Sequence, residues 1–524
     1  MPSTTSSTSP LLCSAPRPTP RLACLLALCA LGAPACGDDD ATPDAGPPAD
    51  SGVRDAGTPW AGWPACDATA TQQRLTFVHA NDLHASYTPD DRGKSRWARI
   101  RGFYERTRLD SPYTIFTDGG DDHEKGSVAD LLSSGRSTLE LARAMEFDAR
   151  VLGNHDFAWS LEELLDFSHD PHALVLASNQ HYTGADPAAY GAADFGTLRV
   201  GCLTVGFAGL VSTPWDERDQ TISEDFYPEI TADYDYTTRA RALVDAHRGE
   251  VDVLVFLDHI GEGDDEALAA AVPGIDVILS SHSHTLTAAP VVVGDTVVVQ
   301  AGSSGDFVIR LDLDVELATH AVNVADYTIK PVFMEAPSAP MNDAVTAAMA
   351  TYAPEAFATL GSMSRVLDAA GAAELAARAS LTQLSADAAI IDVNTAWGSL
   401  SAGPLTQQEL ADTFKVERER AGTPGFSSLY RATVSGAVLA LVASAPADRW
   451  RYVGPATVDP AATYTLVVQK RPAMHPDEYL PAGVLLDAPT AQAEVWETLD
   501  HYARARNAAC LYVDVDTSIP GCTP

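Results

Sequence analysis

Five short runs of the chain carry side chains able to hold metal ions or move protons. They are Asp82-Leu83-His84, Gly120-Asp121, Gly153-Asn154-His155-Asp156, the lone His259 and His282-Ser283-His284. Carboxylate, carboxamide and imidazole groups are ligands for divalent cations such as Zn, Mn or Fe. Two such cations, roughly 3.5–4 Å apart, need a shared anion, and an Asp carboxylate has two oxygens to share. Asp121 is the candidate bridge. Asp82, His84 and His284 complete one site, and Asn154, His259 and His282 the other. In Asp82-x-His84 and His282-x-His284 one residue separates two donors, so a short loop can send one to each cation or both to the same one. Singly these runs say little: a Gly-Asp is ordinarily a turn, and a D-x-H arises by chance. Their order, and their shared position just past apolar runs, sets them apart.

The elements that must position them alternate. Strand-like runs are expected at 74–79, 113–116, 149–152, 173–177, 199–210, 251–257, 275–279, 297–301 and 307–313. Helical patterns lie between, at 96–108, 138–145, 236–247 and 266–271. Such alternation predicts an α/β fold. In an open α/β sheet, side chains just past the carboxyl ends of strands converge on one edge. The five runs occupy those positions, so residues two hundred apart can meet. A Pro-rich stretch at 331–341 breaks the pattern, a helix-like segment follows, and an Ala-rich α/β region runs on to about residue 512.

The chain has 524 residues, enough for two or three domains, and a formal net charge of -37 from 34 Lys+Arg and 71 Asp+Glu. That surface repels a nucleic-acid polymer and favours polyvalent cations. Ahead of the folded part, Arg17 and Arg21 precede a short apolar run (22–31), then small residues and Cys36. This is the layout of a secretory signal. Cys36 followed by Gly37 and three Asp resembles a bacterial lipoprotein cleavage site, although Ala33 stands where Leu is usual, so plain cleavage and release stays open. Membrane contact is then expected only through a lipid anchor, on a protein in the periplasm or at the cell surface. Residues 37–72 read as an acidic linker. Cys510 and Cys522 are candidates for a disulfide, whereas Cys202, within an apolar run, is expected as a buried thiol. Oligomeric state has no signature here.

The runs FVHANDLHASY, DGGD, FDARVLGNHDF, LDHIGEGDDEALA and VILSSHSHT resemble the calcineurin-like metallophosphoesterases, and more narrowly the exported bacterial 5'-nucleotidase family. The resemblance covers about residues 73–512, strongly in the first part and weakly in the second. It implies an αββα sandwich phosphoesterase domain (73–335), a linking helix (336–358), a C-terminal α/β substrate-binding domain (359–512) and a tail (513–524). By the same likeness the two cations sit on Asp82, His84, Asp121, Asn154, His259, His282 and His284, and His155 is the catalytic histidine. The implied substrate is a nucleotide or another small phosphate ester, attacked by a metal-bound hydroxide. Cyclic-nucleotide, nucleotide-sugar and sulfur–sulfonate hydrolases, or a non-catalytic surface lipoprotein, are the competing readings.

Departures from the family pattern qualify it. Ala158 stands where the family has the Asp that orients the catalytic histidine, leaving Asp118, Asp122 or Asp156 as substitutes. The loop after Asp121 is one residue longer, and its His123 and Glu124 are expected as solvated loop residues. Ser281 replaces a glycine. In the second domain Asn394 fits the family's substrate segment, but Ser399 occupies its Arg position. Tyr479 could stack on a base. Arg418, Arg420, Lys470 and Arg471 are candidate anion grips whose simpler reading is solvated charge.

Overall fold

The computed structural model describes residues 62–212, 227, 229–414, 428–484 and 486–523. Cys36, Arg418 and Arg420 lie outside the described residues, as does the side chain of Arg471.

Apolar alternation builds the first part from two six-stranded sheets. In the first, the parallel strands Gln72–Ala80, Thr114–Asp118, Ala149–Val151 and Leu174–Leu176 are flanked by the antiparallel pair Phe307–Glu316 and Val322–Pro331. The second places Leu203–Ala208, Val253–Leu257, Val277–Ser280 and Thr296–Gln300 in parallel at its centre. Because side chains alternate along a strand, its two faces go to different neighbours. Val253, Val255 and Leu257 join a core that includes Phe77 and Phe116 of the first sheet. Leu254 and Phe256 instead meet Leu243, Val244 and Leu268 on the helices Tyr236–His247 and Glu262–Ala271. Helix Arg96–Asp110 sends Trp97 and Ile100 into the main core. Helices thus lie outside two facing sheets, the αββα arrangement.

The run at 199–210 is two strands, not one. Gly201, at φ +60°, turns Gly196–Val200 back on Leu203–Ala208. That turn carries Cys202 out of the core and into a disulfide with Cys66, so it is not the buried thiol expected. A second disulfide joins Cys510 to Cys522.

Helix Ala339–Tyr352 follows, tied down where Ser338 N–H donates to the Ala98 carbonyl at 2.7 Å. Beyond it, a five-stranded sheet runs in the order Trp450–Val453, Ala388–Asp392, Thr463–Gln469, Ser428–Ser435, Asp487–Glu494. Gln408, on helix Gln407–Thr413 of this second part, reaches into the first. It accepts the Val128 N–H at 3.0 Å and donates to the Gly126 carbonyl at 3.3 Å. Among the described residues no helix is long and apolar enough to cross a membrane.

Candidate metal centre

Each of the five runs follows a strand of the sandwich. Asp82 and His84 come after Gln72–Ala80, Asp121 after Thr114–Asp118, and Asn154 and His155 in a tight turn after Ala149–Val151. His259 follows Val253–Leu257, and His282 and His284 follow Val277–Ser280. Asp82, His84, Asp121, His282 and His284 all have left-handed backbone, with φ between 45° and 73°. Non-glycine residues pay about 1–2 kcal/mol for that conformation, and such strain gathers where function demands a particular aim. The loops are also zipped together: Asp82 N–H donates to the Gly120 carbonyl at 2.9 Å and His84 N–H to the Asp121 carbonyl at 2.8 Å. Gly153 has to be a glycine, because a Cβ there would sit 2.1 Å from Asp121 Oδ1.

Two trios of donors result. Ligand atoms of Asp82, His84 and His284 lie within 4.8 Å of one another, and so do those of Asp121, His259 and His282. Asp82 Oδ2 accepts from Asn81 Nδ2 and from the His282 amide. Its buried Oδ1 has no hydrogen bond and stands 3.2 Å from His284 Nε2. His259 Nδ1 meets the Gly119 carbonyl at 2.7 Å, and His84 Nδ1 meets the His123 carbonyl at 3.2 Å. With Nδ1 occupied in this way, each ring turns Nε2 to the centre, the arrangement that orients metal-bound imidazoles. His259 Nε2 lies 3.1 Å from Asp121 Oδ2 and 3.2 Å from Asn154 Oδ1. His84 Nε2 approaches the same Asp121 oxygen at 3.9 Å. An orphaned buried carboxylate oxygen, converging imidazole nitrogens and the Asp121 carboxylate of one trio turned also towards His84 of the other fit two divalent cations. Ser281 Oγ lies 2.6 Å from the Gly119 carbonyl and 2.7 Å from the Asp258 carbonyl, either of which can accept its one proton, so the hydroxyl added in place of glycine is satisfied.

Burial keeps most of these imidazoles in the neutral form that binds metal. Burial, with the nearby Lys125 adding to it, holds His84 and His155 well below the ordinary imidazole value. Burial and then His259 bring His282 down to about 4. Burial also opposes a charged His259, yet the Asp121 carboxylate outweighs it and lifts that pKa to about 10.

His155 is held, but not by any of the three acids expected to substitute at Ala158. Asp118 and Asp122 pair with the buried guanidinium of Arg150. Asp156 accepts the amides of Gly153, Asp121 and Asp122. The acid that meets His155 Nδ1, at 2.6 Å, is Glu124. Glu124 and His123 are buried rather than solvated. Asp130 is the cause: it accepts the Glu124 amide at 2.9 Å, and its other oxygen meets His123 Nδ1 at 3.2 Å. The extra loop residue noted in the sequence was the one signal available for this.

In the second part, Asn394 sits exposed in a turn after Ala388–Asp392. Tyr479 lies in the short helix Pro476–Tyr479, under the Arg449 guanidinium at 5.5 Å. Arg449, missed in the sequence, also pairs with Asp392 at 3.2 Å and so links the two candidate segments. Lys470 opens the helix Lys470–Met474. Exposed Trp397 reaches back to the first part, with Lys125 Nζ 5.9 Å from its ring.

Sandwich, strand-end loops and paired donor sets define a class. Residues 75–286 match the family model described as calcineurin-like phosphoesterase, and the chain carries a calcineurin-like metallophosphoesterase domain. It is similar to a 5'-nucleotidase of Bos taurus, with 29% identity over 43% of this chain and 39% of that protein. It is also similar to an uncharacterized metallophosphoesterase of Bacillus subtilis, with 24% identity over 48% of this chain and 52% of that one. The chain therefore spans about two fifths to half the length of these relatives. In fold it resembles a 5'-nucleotidase precursor from Thermus thermophilus, with a TM-score of 0.62, 18% identity and coverage of 82% of this chain and 96% of that one. A sulfate thiohydrolase from the same organism gives 0.58 and 17%, covering 82% and 94%.

Proposed function

We propose that the chain is a metal-dependent phosphoester hydrolase acting on nucleotides or other small phosphate esters outside the cytoplasm. The observation that carries this reading is Asp121 Oδ2, approached at 3.1 Å by His259 of one trio and at 3.9 Å by His84 of the other. Asp82, His84, Asp121 and His284 hold one divalent cation, and Asp121, Asn154, His259 and His282 the second. Bound there, the cations neutralise phosphoryl charge and supply a water that is acidic enough to attack near neutral pH. Glu124 takes up His155 Nδ1, which leaves Nε2 to meet the leaving oxygen.

Nucleotide preference draws support from the 5'-nucleotidase relatives and from aromatic faces in the second part. Trp397 and Tyr479 can each stack on a base, a contact worth ~1–3 kcal/mol. Asn394 and Arg449 then meet the polar part of the substrate. Export draws support from the leader pattern and from two disulfides, which persist in oxidising compartments. Lipid attachment at Cys36 belongs to the same reading.

The test is phosphate release from a panel of phosphate esters by the full chain reconstituted with Mn or Zn, beside Asp121→Ala. The variant is expected to lose bound metal and turnover together. Turnover that survives in Asp121→Ala removes the mechanism.

A further inference from the structure

The loop 122–126 does more than connect a strand to a helix. Glu124 is fully buried, and its Oε2 stands 2.6 Å from His155 Nδ1, a length typical of a charge-assisted hydrogen bond. The loop is pinned on both sides of that contact. Asp130 takes the Glu124 amide and the His123 ring, and Thr138 Oγ1 donates to the same carboxylate. The His123 ring packs against Phe167, with centroids 4.6 Å apart. On the far side Gln408 grips Gly126 and Val128. Asp121, Glu124 and Lys125 all carry positive φ, so the loop's shape is held against its own backbone preference. The acids that could compete for His155 are committed elsewhere, to Arg150 and to loop amides. At Ala158 there is no carboxylate to offer.

We propose that Glu124 is the positioning residue for His155, supplied by the lengthened loop after Asp121 in place of an acid at position 158. This rests on the phosphoester hydrolase reading. Glu124 keeps the Nδ1 proton in place, fixes the plane of the ring and, together with the negative phosphoryl group of the bound ester, stabilises the imidazolium against the burial that disfavours it. As the ester P–O bond breaks, its electron pair passes to the leaving oxygen and the Nε2 proton follows. The surplus proton of the attacking water restores Nε2 once the alcohol has left. A poor leaving group needs that proton and a good one does not, so the loss caused by breaking the Glu124–His155 contact depends on the ester.

The experiment uses the full chain loaded with Mn or Zn and compares wild type, Glu124→Gln, His155→Ala and the double variant on an alkyl phosphate and on a nitrophenyl phosphate. Glu124→Gln keeps the side chain's shape and is expected to retain two metal equivalents and an unchanged melting curve. Its kcat on the alkyl ester falls about 10²-fold, its kcat on the nitrophenyl ester falls at least about tenfold less, and KM stays within about threefold. In the His155→Ala background, Glu124→Gln adds nothing further, because the two act as a unit. A metal-independent readout accompanies this: the strongly downfield Nδ1 proton of His155 in the NMR spectrum, present in wild type, is lost or shifted in Glu124→Gln. Equal losses on both esters, an undiminished kcat, or a full additive loss on top of His155→Ala overturns the proposal. A wild-type protein that binds two metals and hydrolyses no ester overturns the underlying reading instead, so the two failures are distinct.

Discussion

His84 Nε2 and His284 Nε2 face each other at 3.2 Å, and Asp82 Oδ1 stands at the same 3.2 Å from His284. Two imidazole nitrogens and a carboxylate oxygen, brought together from loops two hundred residues apart, place three lone-pair donors around one point. A cation there relieves the crowding, and protonation of one ring does so less completely.

Replacing His284 by Ala takes one donor from that trio and leaves Asp121, Asn154, His259 and His282 intact. The variant is expected to hold about one metal equivalent where wild type holds two. Its gain in melting temperature on adding metal is smaller, since only bound ligand stabilises. Elemental analysis after desalting and a thermal melt check this together.

His155→Ala should behave differently. His155 contributes no atom to either trio. Metal content is expected to stay at wild-type level while kcat falls by about 10²–10⁴-fold, the usual worth of a positioned proton donor. Loss of metal in this variant would make it a ligand.

Stability also depends on pH through Asp148, which belongs to neither donor trio. Burial raises its pKa from 3.8 to about 7, although the carboxylate still accepts the Phe116 N–H at 2.8 Å. The folded chain therefore keeps this proton up to about pH 7, whereas the unfolded chain releases it near 3.8. Between those values the folded state binds more protons, so this group's contribution falls as pH rises from about 4 to about 7 and stays low above. Asp148→Asn is expected to stabilise the chain at pH 8, by on the order of 2–4 kcal/mol, with the gain fading towards pH 4. Denaturant melts at several pH values measure it.

The Cys66–Cys202 bridge closes a separation of 136 residues. Long closures constrain the unfolded chain most, and the paired substitution Cys66→Ala/Cys202→Ala should cost about 2–5 kcal/mol. Calorimetry of oxidised wild type against the variant reads the difference. Both parts of the metal centre lie elsewhere, so metal content should not change.

Much of the first part could be read in the sequence because periodicity and position are local. The apolar run of Val253–Leu257, ending at His259, announces both a strand and a ligand-bearing end. Cys202 could not be read this way: one Gly201 turn, invisible to an apolar count, decided which way its thiol pointed. Glu124 escaped for a different reason. Its burial depends on Asp130, six residues on, and on Phe167 behind His123, contacts that no pattern of spacing encodes. In the second part Arg449 earns its place only through Asp392 and Tyr479, which are distant in sequence from it.

The most direct test of the central claim titrates metal-free full chain with Mn while recording bound metal and phosphate released from a small phosphate ester. Binding of two equivalents, with turnover appearing as the pair fills and vanishing on chelation, is the predicted result. Turnover undiminished in the metal-free protein, or none with both equivalents bound, contradicts it.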